Sequence, residues 1–300
     1  MQVGRREPLK KGFSIRTSSK ALAAATFAAL SLAATAPALA DETAPPNDIT
    51  ITGTATIASQ YRFRGVARSD NKPVVQGTIT IPHSSGFHVT TWASSASSST
   101  PITFGTTTVP TLVYPINIGG TEIDVYGGYT HGLGKSGVTI DVGLYGYIYP
   151  GATVGNYWEG YGSLAKTFGP VTAKVGANFA PAQNVFNYNF TSPHRGNTYV
   201  HAGLGGAIPG TPLSVRSHIA HTGGGFNFPK EFIDYNVGVT AKYKNLALDA
   251  SVVGANMTRS DFAGSGLCCG AASPDQIATC ANVHYRTTKP VGVVSLTISF

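Results

Sequence analysis

The chain has 300 residues, of which 21 are basic and 14 acidic, giving a formal charge of +7. Only 12% of the residues are charged, against roughly 25% in ordinary soluble domains, so part of the surface is expected to face something other than water. Residues 1–40 hold six of the basic residues and one of the acidic ones, leaving 15 against 13. With no basic patch and interleaved aromatics in the remainder, a nucleic-acid partner is excluded.

The first element in chain order is a targeting segment. Arg5, Arg6, Lys10, Lys11, Arg16 and Lys20 make a basic start, residues 21–34 an apolar run, and Ala38-Leu39-Ala40 a small-x-small site before Asp41-Glu42. The pattern predicts a cleaved secretory signal peptide over 1–40 and a mature domain over 41–300. A retained helical anchor is the competing reading. The Ala, Ser and Thr content of the run and its Pro37 speak against it. No later stretch reaches 18 apolar residues, which excludes a helical membrane protein.

From there to the end, apolar and polar residues alternate with period two. Val138, Ile140, Val142 and Leu144 alternate with Thr139, Asp141, Gly143 and Tyr145, and the pattern recurs from Tyr235 to Lys242 and from Leu246 to Val252. Strands are expected over 48–64, 72–82, 86–96, 120–132, 137–149, 155–168, 170–180, 196–208, 212–224, 231–244, 246–257 and 290–300. Most have the ten or so residues that a tilted membrane-spanning strand needs. Tight turns at 83–85, 134–136, 169, 209–211 and 244–245 alternate with longer links around 65–71, 97–119, 150–154, 181–195, 225–230 and 258–289.

Short turns at one end and long loops at the other predict an all-β fold: a transmembrane antiparallel up-and-down β-barrel of about 12 strands, with both termini in the periplasm of a Gram-negative bacterium. A soluble sandwich or lipocalin-like barrel alternates too, but its outer coat is rich in Lys and Glu. Here the polar parity is mostly Thr, Ser, Gly and Asn. The last strand ends on Phe300, with Ile298, Leu296 and Val294 on its side and Ser299, Thr297 and Ser295 opposite. Such a terminal aromatic resembles the signal read by the outer-membrane barrel assembly machinery.

The polar parity supplies the lumen-lining candidates Arg62, Arg64, Glu122, Asp124, Asp141, Glu159, Lys174, Arg216, Asp234, Lys242 and Asp249. Five are basic and six acidic, so they either line a pore or neutralise one another in a closed plug, and no ion selectivity follows. A lipid hydrolase needs an outward His beside an outward Ser. Parity places His88, His201 and His218 in the lumen, and His83 and His131 at tight-turn ends. Neither a G-x-S-x-G nor an H-E-x-x-H motif occurs. No catalytic residue, cofactor or metal is expected.

Cys268, Cys269 and Cys280 allow a disulfide in the last long loop, with the partner of Cys280 left open, and zinc is disfavoured. Tyr145, Tyr147, Tyr149, Tyr157, Trp158 and Tyr161 gather near the 150–154 link and are expected to form an aromatic girdle at the membrane boundary. A sugar-binding slide is the alternative. Glycines in the strands at 203–206 and 223–225 are expected to serve close barrel curvature or to make room for a neighbouring side chain rather than to bind phosphate.

The run Ser59-Gln60-Tyr61-Arg62-Phe63-Arg64-Gly65-Val66, with Ser69-Asp70, Pro73, Gln76-Gly77, Gly86-Phe87 and Trp92-Ala93-Ser94, resembles the start of the TorF porin family. Glu122-Ile123-Asp124, Tyr126-Gly127-Gly128-Tyr129, Tyr147-Ile148-Tyr149-Pro150-Gly151 and Glu159 extend the likeness, which covers the first half best. The resemblance implies an outer-membrane channel and carries no catalytic residue. The chain departs from it through the links 97–119 and 258–289, either of which is long enough to fold inward as a plug or lid. The expected function is passive passage of small hydrophilic solutes or ions through a barrel seated in outer-membrane lipid. A closed structural or adhesive barrel whose long loops bind a partner is the alternative.

Overall fold

A computed structural model describes residues 48–97, 99–104, 112–117, 119–152, 155–188, 195–227, 229–268, 271 and 273–300. The expected signal peptide and Cys269 lie outside these residues. Twelve antiparallel strands close into one barrel. They are β1 (Thr52–Ala58), β4 (Val74–Pro82), β5 (Phe87–Ser95), β8 (Thr121–Gly132), β9 (Val138–Ile148), β10 (Tyr157–Phe168), β11 (Val171–Ala180), β12 (Asn197–Ala207), β13 (Leu213–Gly224), β14 (Phe232–Tyr243), β15 (Leu246–Ala255) and β16 (Val291–Ser299). Two small hairpins are separate from the barrel sheet, β2 (Arg62–Phe63) with β3 (Val66–Ala67) and β6 (Ser99–Phe104) with β7 (Leu112–Asn117).

Each wall strand joins the next wall strand in the chain, with β2 and β3 intervening between β1 and β4 and β6 and β7 between β5 and β8, and β1 pairs with β16 to shut the sheet. Closure removes both edges, so the wall's backbone donors and acceptors pair within the sheet. At the seam Thr54 faces Ser299, and Gly53 exchanges backbone bonds with Phe300 at 2.8 and 3.0 Å. Gly53 also leaves room for the Phe300 ring, because a Cβ there would overlap it. Ile49 bridges to His83 in a tight turn, so the first described residues lie with Phe300 at the short-turn rim.

The wall presents two faces. Leu144, 62% exposed, points outward with Val142 and Ile148, while Tyr145 and Tyr147 between them are buried. The same apolar outer parity runs through Ile57, Ile79, Val89, Val175, Leu204, Ile219, Val237 and Leu296. An exterior this apolar and nearly free of charge is the reverse of a soluble barrel, in which oil faces in.

One expectation for the chain path needs correction. The first strand was expected to run to residue 64, but β1 stops at Ala58 and the chain turns into the barrel. Ser59 ends the ladder by accepting a bond from the Val294 amide on its own Oγ, at 3.0 Å. The wide link 258–289 carries two helices, α1 (Arg259–Ala263) and α2 (Pro274–Thr288). They form a lid on the long-loop end, where Phe262 and Ala281 pack with Phe232, Ala255 and Met257, and with Val66 of β3.

Local chemistry fixes both helices. Thr258 and Asp261 make a reciprocal capping box on α1, and Ser273 caps α2 ahead of Pro274. Burial works to raise the Asp261 carboxyl, but the Lys230 ammonium at 2.9 Å and the Thr258 hydroxyl and amide outweigh it and hold the group below its usual range. A disulfide between Cys268 and Cys280 ties the turn after α1 to α2. His284 lies close to both sulfurs, but the disulfide occupies the two thiols that a metal would need. Closing this short loop is worth about 2–4 kcal/mol to the lid. Cys280→Ser is therefore expected to make residues 258–289 protease-sensitive while the barrel keeps its compact, heat-resistant migration on semi-native gels.

Candidate functional site

The interior is furnished by the polar parity of the wall. Glu122 and Asp124 on β8, Asp141 on β9, Glu159 on β10, Lys174 on β11, Arg216 on β13, Asp234 and Lys242 on β14 and Asp249 on β15 all lie on this sheltered parity. Glu122 and Glu159 have no solvent exposure at all. Buried charge demands partners. Arg216 donates to Asp249 Oδ1 at 2.5 Å and to Asn236 Oδ1 at 2.6 Å, and the Thr240 hydroxyl donates to Asp249 Oδ2 at 2.7 Å. Gly238 opens the space for that guanidinium, since a Cβ there would stand 3.0 Å from Arg216 Cζ. His88 Nε2 lies 3.0 Å from Asp141 Oδ1, which also accepts from Thr130 at 3.2 Å and Tyr161 at 3.3 Å.

Arg62 and Arg64 belong to a different element. They were expected on the first wall strand, but they sit on an inward hairpin formed by β2 and β3 within the 59–73 link. Arg64 and Gly65 form its tip with φ of 49° and 77°. Positive φ at both tip residues matches the twist of a two-residue hairpin, and for a residue with a Cβ this costs about 1 kcal/mol or more. Ser69 holds the base of the link together: its Oγ accepts from the Tyr61 amide at 2.9 Å and donates to the Lys72 carbonyl at 2.8 Å.

The hairpin crosses the lumen. In the strand order, β10 lies five places from β1 in one direction and seven in the other, almost opposite. Arg64 spans that gap and donates from one nitrogen to both oxygens of Glu159, each at 2.8 Å. Glu159 Oε1 also accepts from Tyr147 at 2.8 Å and Asn178 Nδ2 at 2.7 Å. The guanidinium lies over the Tyr199 ring at 4.1 Å, a favourable cation–π distance. Tyr61 donates to Glu122 Oε1 at 2.9 Å and packs on Trp92.

Arg62 pins the hairpin to the lid. It donates to the carbonyls of Thr287 at 2.7 Å and Lys289 at 3.2 Å, at the C-terminal end of α2 where carbonyls lack helical partners. Burial draws the Arg62 guanidinium down to about 10, which leaves it charged at neutral pH. Arg286 of α2 donates to Asp70 at 2.6 Å and makes the second tie.

The expected aromatic girdle is corrected as well. Tyr145, Tyr147, Tyr149 and Tyr157 are buried inside the barrel, and of that group Trp158 is the one strongly exposed. Tyr126, Tyr145, Tyr147 and Tyr157 form a ladder of rings with centroids 4.2–4.5 Å apart. Phe63 of the hairpin and Phe186 and Phe226 of two loops pack onto it. The alternation already carried this signal, since Tyr145 and Tyr147 share parity with Asp141, and Tyr157 and Tyr161 with Glu159.

Beside the hairpin lies a cavity of about 140 Å³, lined among others by Arg64, Asp124, Asp141, Lys174, His201 and Asp234. Such a space holds several waters or a small ion, whereas pockets for larger ligands run to about 300–1,000 Å³. His201 stacks on His218, whose Nε2 meets the Tyr199 hydroxyl at 2.8 Å. Tyr199, Asn178, Arg68 and Phe226 were not singled out from sequence. The first two share the inward parity of their strands, but the last two lie on loops, where no periodicity points to a face.

A closed twelve-strand barrel with an apolar exterior and a charged interior crossed by an inward loop has porin architecture. The chain belongs to the Gcw_chp family, described as a bacterial protein of unknown function, with residues 41–281 matched. Among solved structures it is similar to the KdgM porin, at a TM-score of 0.50 and 10% identity over 83% of this chain and 99% of that one. It also matches the NanC porin, at 0.47 and 8% over 84% and 99%. A third match is the COG4313 outer membrane channel from Pseudomonas putida F1, at 0.44 and 11% over 85% and 96%. At such identities the likeness concerns the fold. No curated protein matches the sequence.

The hairpin tip fits its seat closely. A Cβ on Gly65 would lie 2.6 Å from the Gly254 carbonyl oxygen and 2.9 Å from Asp234 Cβ. Gly65→Ala adds that overlap to an unfavourable φ, together costing about 1–3 kcal/mol. It is expected to unseat the hairpin and expose Arg62, Arg64 and Arg68 to trypsin in an otherwise intact barrel, as seen by mass spectrometry of the digest.

Proposed function

We propose that the mature chain is an outer-membrane, porin-like channel for small hydrophilic solutes or ions, narrowed at its long-loop end by the 59–73 hairpin. The observation that carries this reading is the charged inner wall: every strand from β8 to β15 except β12 carries a charged side chain on its inward parity, as do the hairpin residues that cross it. A barrel built for stability alone gains little from burying so many charges, because desolvation offsets much of their attraction. A polar path for solutes accounts for them.

The TorF likeness and the apolar exterior support the same reading. Export fits it too, with residues 1–40 removed and Phe300, at the seam of the closed sheet, serving as the assembly signal. The inward set then lines the lumen as Arg62, Arg64, Glu122, Asp124, Asp141, Glu159, Lys174, Arg216, Asp234, Lys242 and Asp249. Passage is passive and takes no catalytic group. The specific observation favouring the second reading, a closed barrel with partner-binding loops, is the hairpin and lid themselves.

Planar-bilayer recording separates the two. The wild-type protein is expected to give small conductance steps, and replacing residues 62–67 by a Gly-Ser linker to enlarge them several-fold. A folded protein that is silent in both forms would sink the channel reading. For the membrane-facing wall, Leu144→Arg is expected to cost about 2–4 kcal/mol, measured by urea unfolding from lipid vesicles.

A further inference from the structure

Glu159 has no solvent exposure, and of its two oxygens Oε2 is approached by Arg64 alone among the hydrogen bonds of the described residues. Its other ligands, the Tyr147 hydroxyl and the Asn178 amide, are neutral. The cation that balances this carboxylate is therefore not part of the wall. It arrives on a hairpin from the far side of the lumen.

Around it the wall and the loop after β13 supply what recognises a flat organic cation: the Glu159 carboxylate and the face of Tyr199 at 4.1 Å from the wall, and the ring of Phe226 at 6.0 Å from the loop. The Tyr199 ring is held in place through its hydroxyl, by His218 at 2.8 Å and Asp234 at 3.3 Å. If the hairpin withdraws with nothing in its place, a buried carboxylate is left without a counter-charge, which is strongly unfavourable. A substitute cation removes that penalty.

We propose that Glu159, Asn178, Tyr147, Tyr199 and Phe226 form a binding site for a guanidinium-bearing solute, filled in cis by Arg64, and that such a solute opens the lumen by taking Arg64's place. The opening step rests on the channel reading above. The binding site does not.

Chemical rescue tests it on the full mature chain in detergent micelles. Arg64→Ala is expected to lower the unfolding temperature on semi-native gels. Millimolar ethylguanidinium is expected to restore at least half of the loss, and neutral ethylurea not to. In the Arg64→Ala, Glu159→Gln double variant the rescue is expected to weaken about tenfold in concentration, the equivalent of one charge-assisted contact.

No recovery in folded Arg64→Ala, equal recovery with ethylurea, or undiminished recovery in the double variant each overturns the site. If Arg64→Ala does not fold, refolding yield becomes the readout: a gain with ethylguanidinium over ethylurea supports the site, and no gain overturns it. Wild-type conductance, recorded separately with and without arginine ethyl ester, tests the opening step. A rise supports displacement, and an unchanged open channel overturns it. A protein silent under both conditions counts against the channel reading and leaves the binding result standing.

Discussion

An antiparallel sheet that closes on itself has no unpaired edge, and that constraint governs the rest of this molecule. Once β1 pairs with β16, every wall residue must point either in or out, and a strand shifted by one residue would turn its apolar set into the lumen. The alternation of Val142, Leu144 and Ile148 with Asp141, Tyr145 and Tyr147 is the mark of that requirement. The seam is closed by small means: Gly53 admits the Phe300 ring, and the Thr56 and Thr297 hydroxyls meet at 2.8 Å.

Closure also creates an interior that must be filled. Small residues and paired charges furnish the short-turn end, whereas the long-loop end is filled by chain segments that leave the wall. The β2–β3 hairpin, Phe186 and Phe226 converge there on the tyrosine ladder, and the helical lid packs beside them. The ties are polar and directional, as between Arg62 and the end of α2 or between Arg64 and Glu159. Bonds of this kind hold the segments in one arrangement, because a buried charge left without its partner is costly.

Legibility in the sequence differed sharply between wall and loops. All twelve wall strands were readable, with ends a few residues off, because a half-buried strand imposes period two on its residues. The disulfide partner of Cys280 was not, since Cys268 and Cys269 are neighbours and only the fold of the lid brings Cys268 to it. The inward place of the tyrosines is carried by their parity, but a cluster of aromatics near a loop has the same local composition as a membrane-boundary belt. The interior place of Arg62 and Arg64 is legible but their support is not: nothing in their local pattern distinguishes a strand that continues from one that ends at Ala58 and turns inward.

The amino-acid sequence by itself therefore determined the all-β class, the strands and their two faces, and the polarity of what they enclose, because these follow from near-neighbour periodicity. Only the tertiary structure decided that β1 meets β16 to shut the sheet, that Arg64 crosses the barrel to Glu159, and that the tyrosine rings form an inner ladder. Those outcomes depend on contacts between residues far apart in the chain. Arg64 and Glu159 are 95 positions apart, and no local pattern encodes which distant carboxylate a guanidinium will meet.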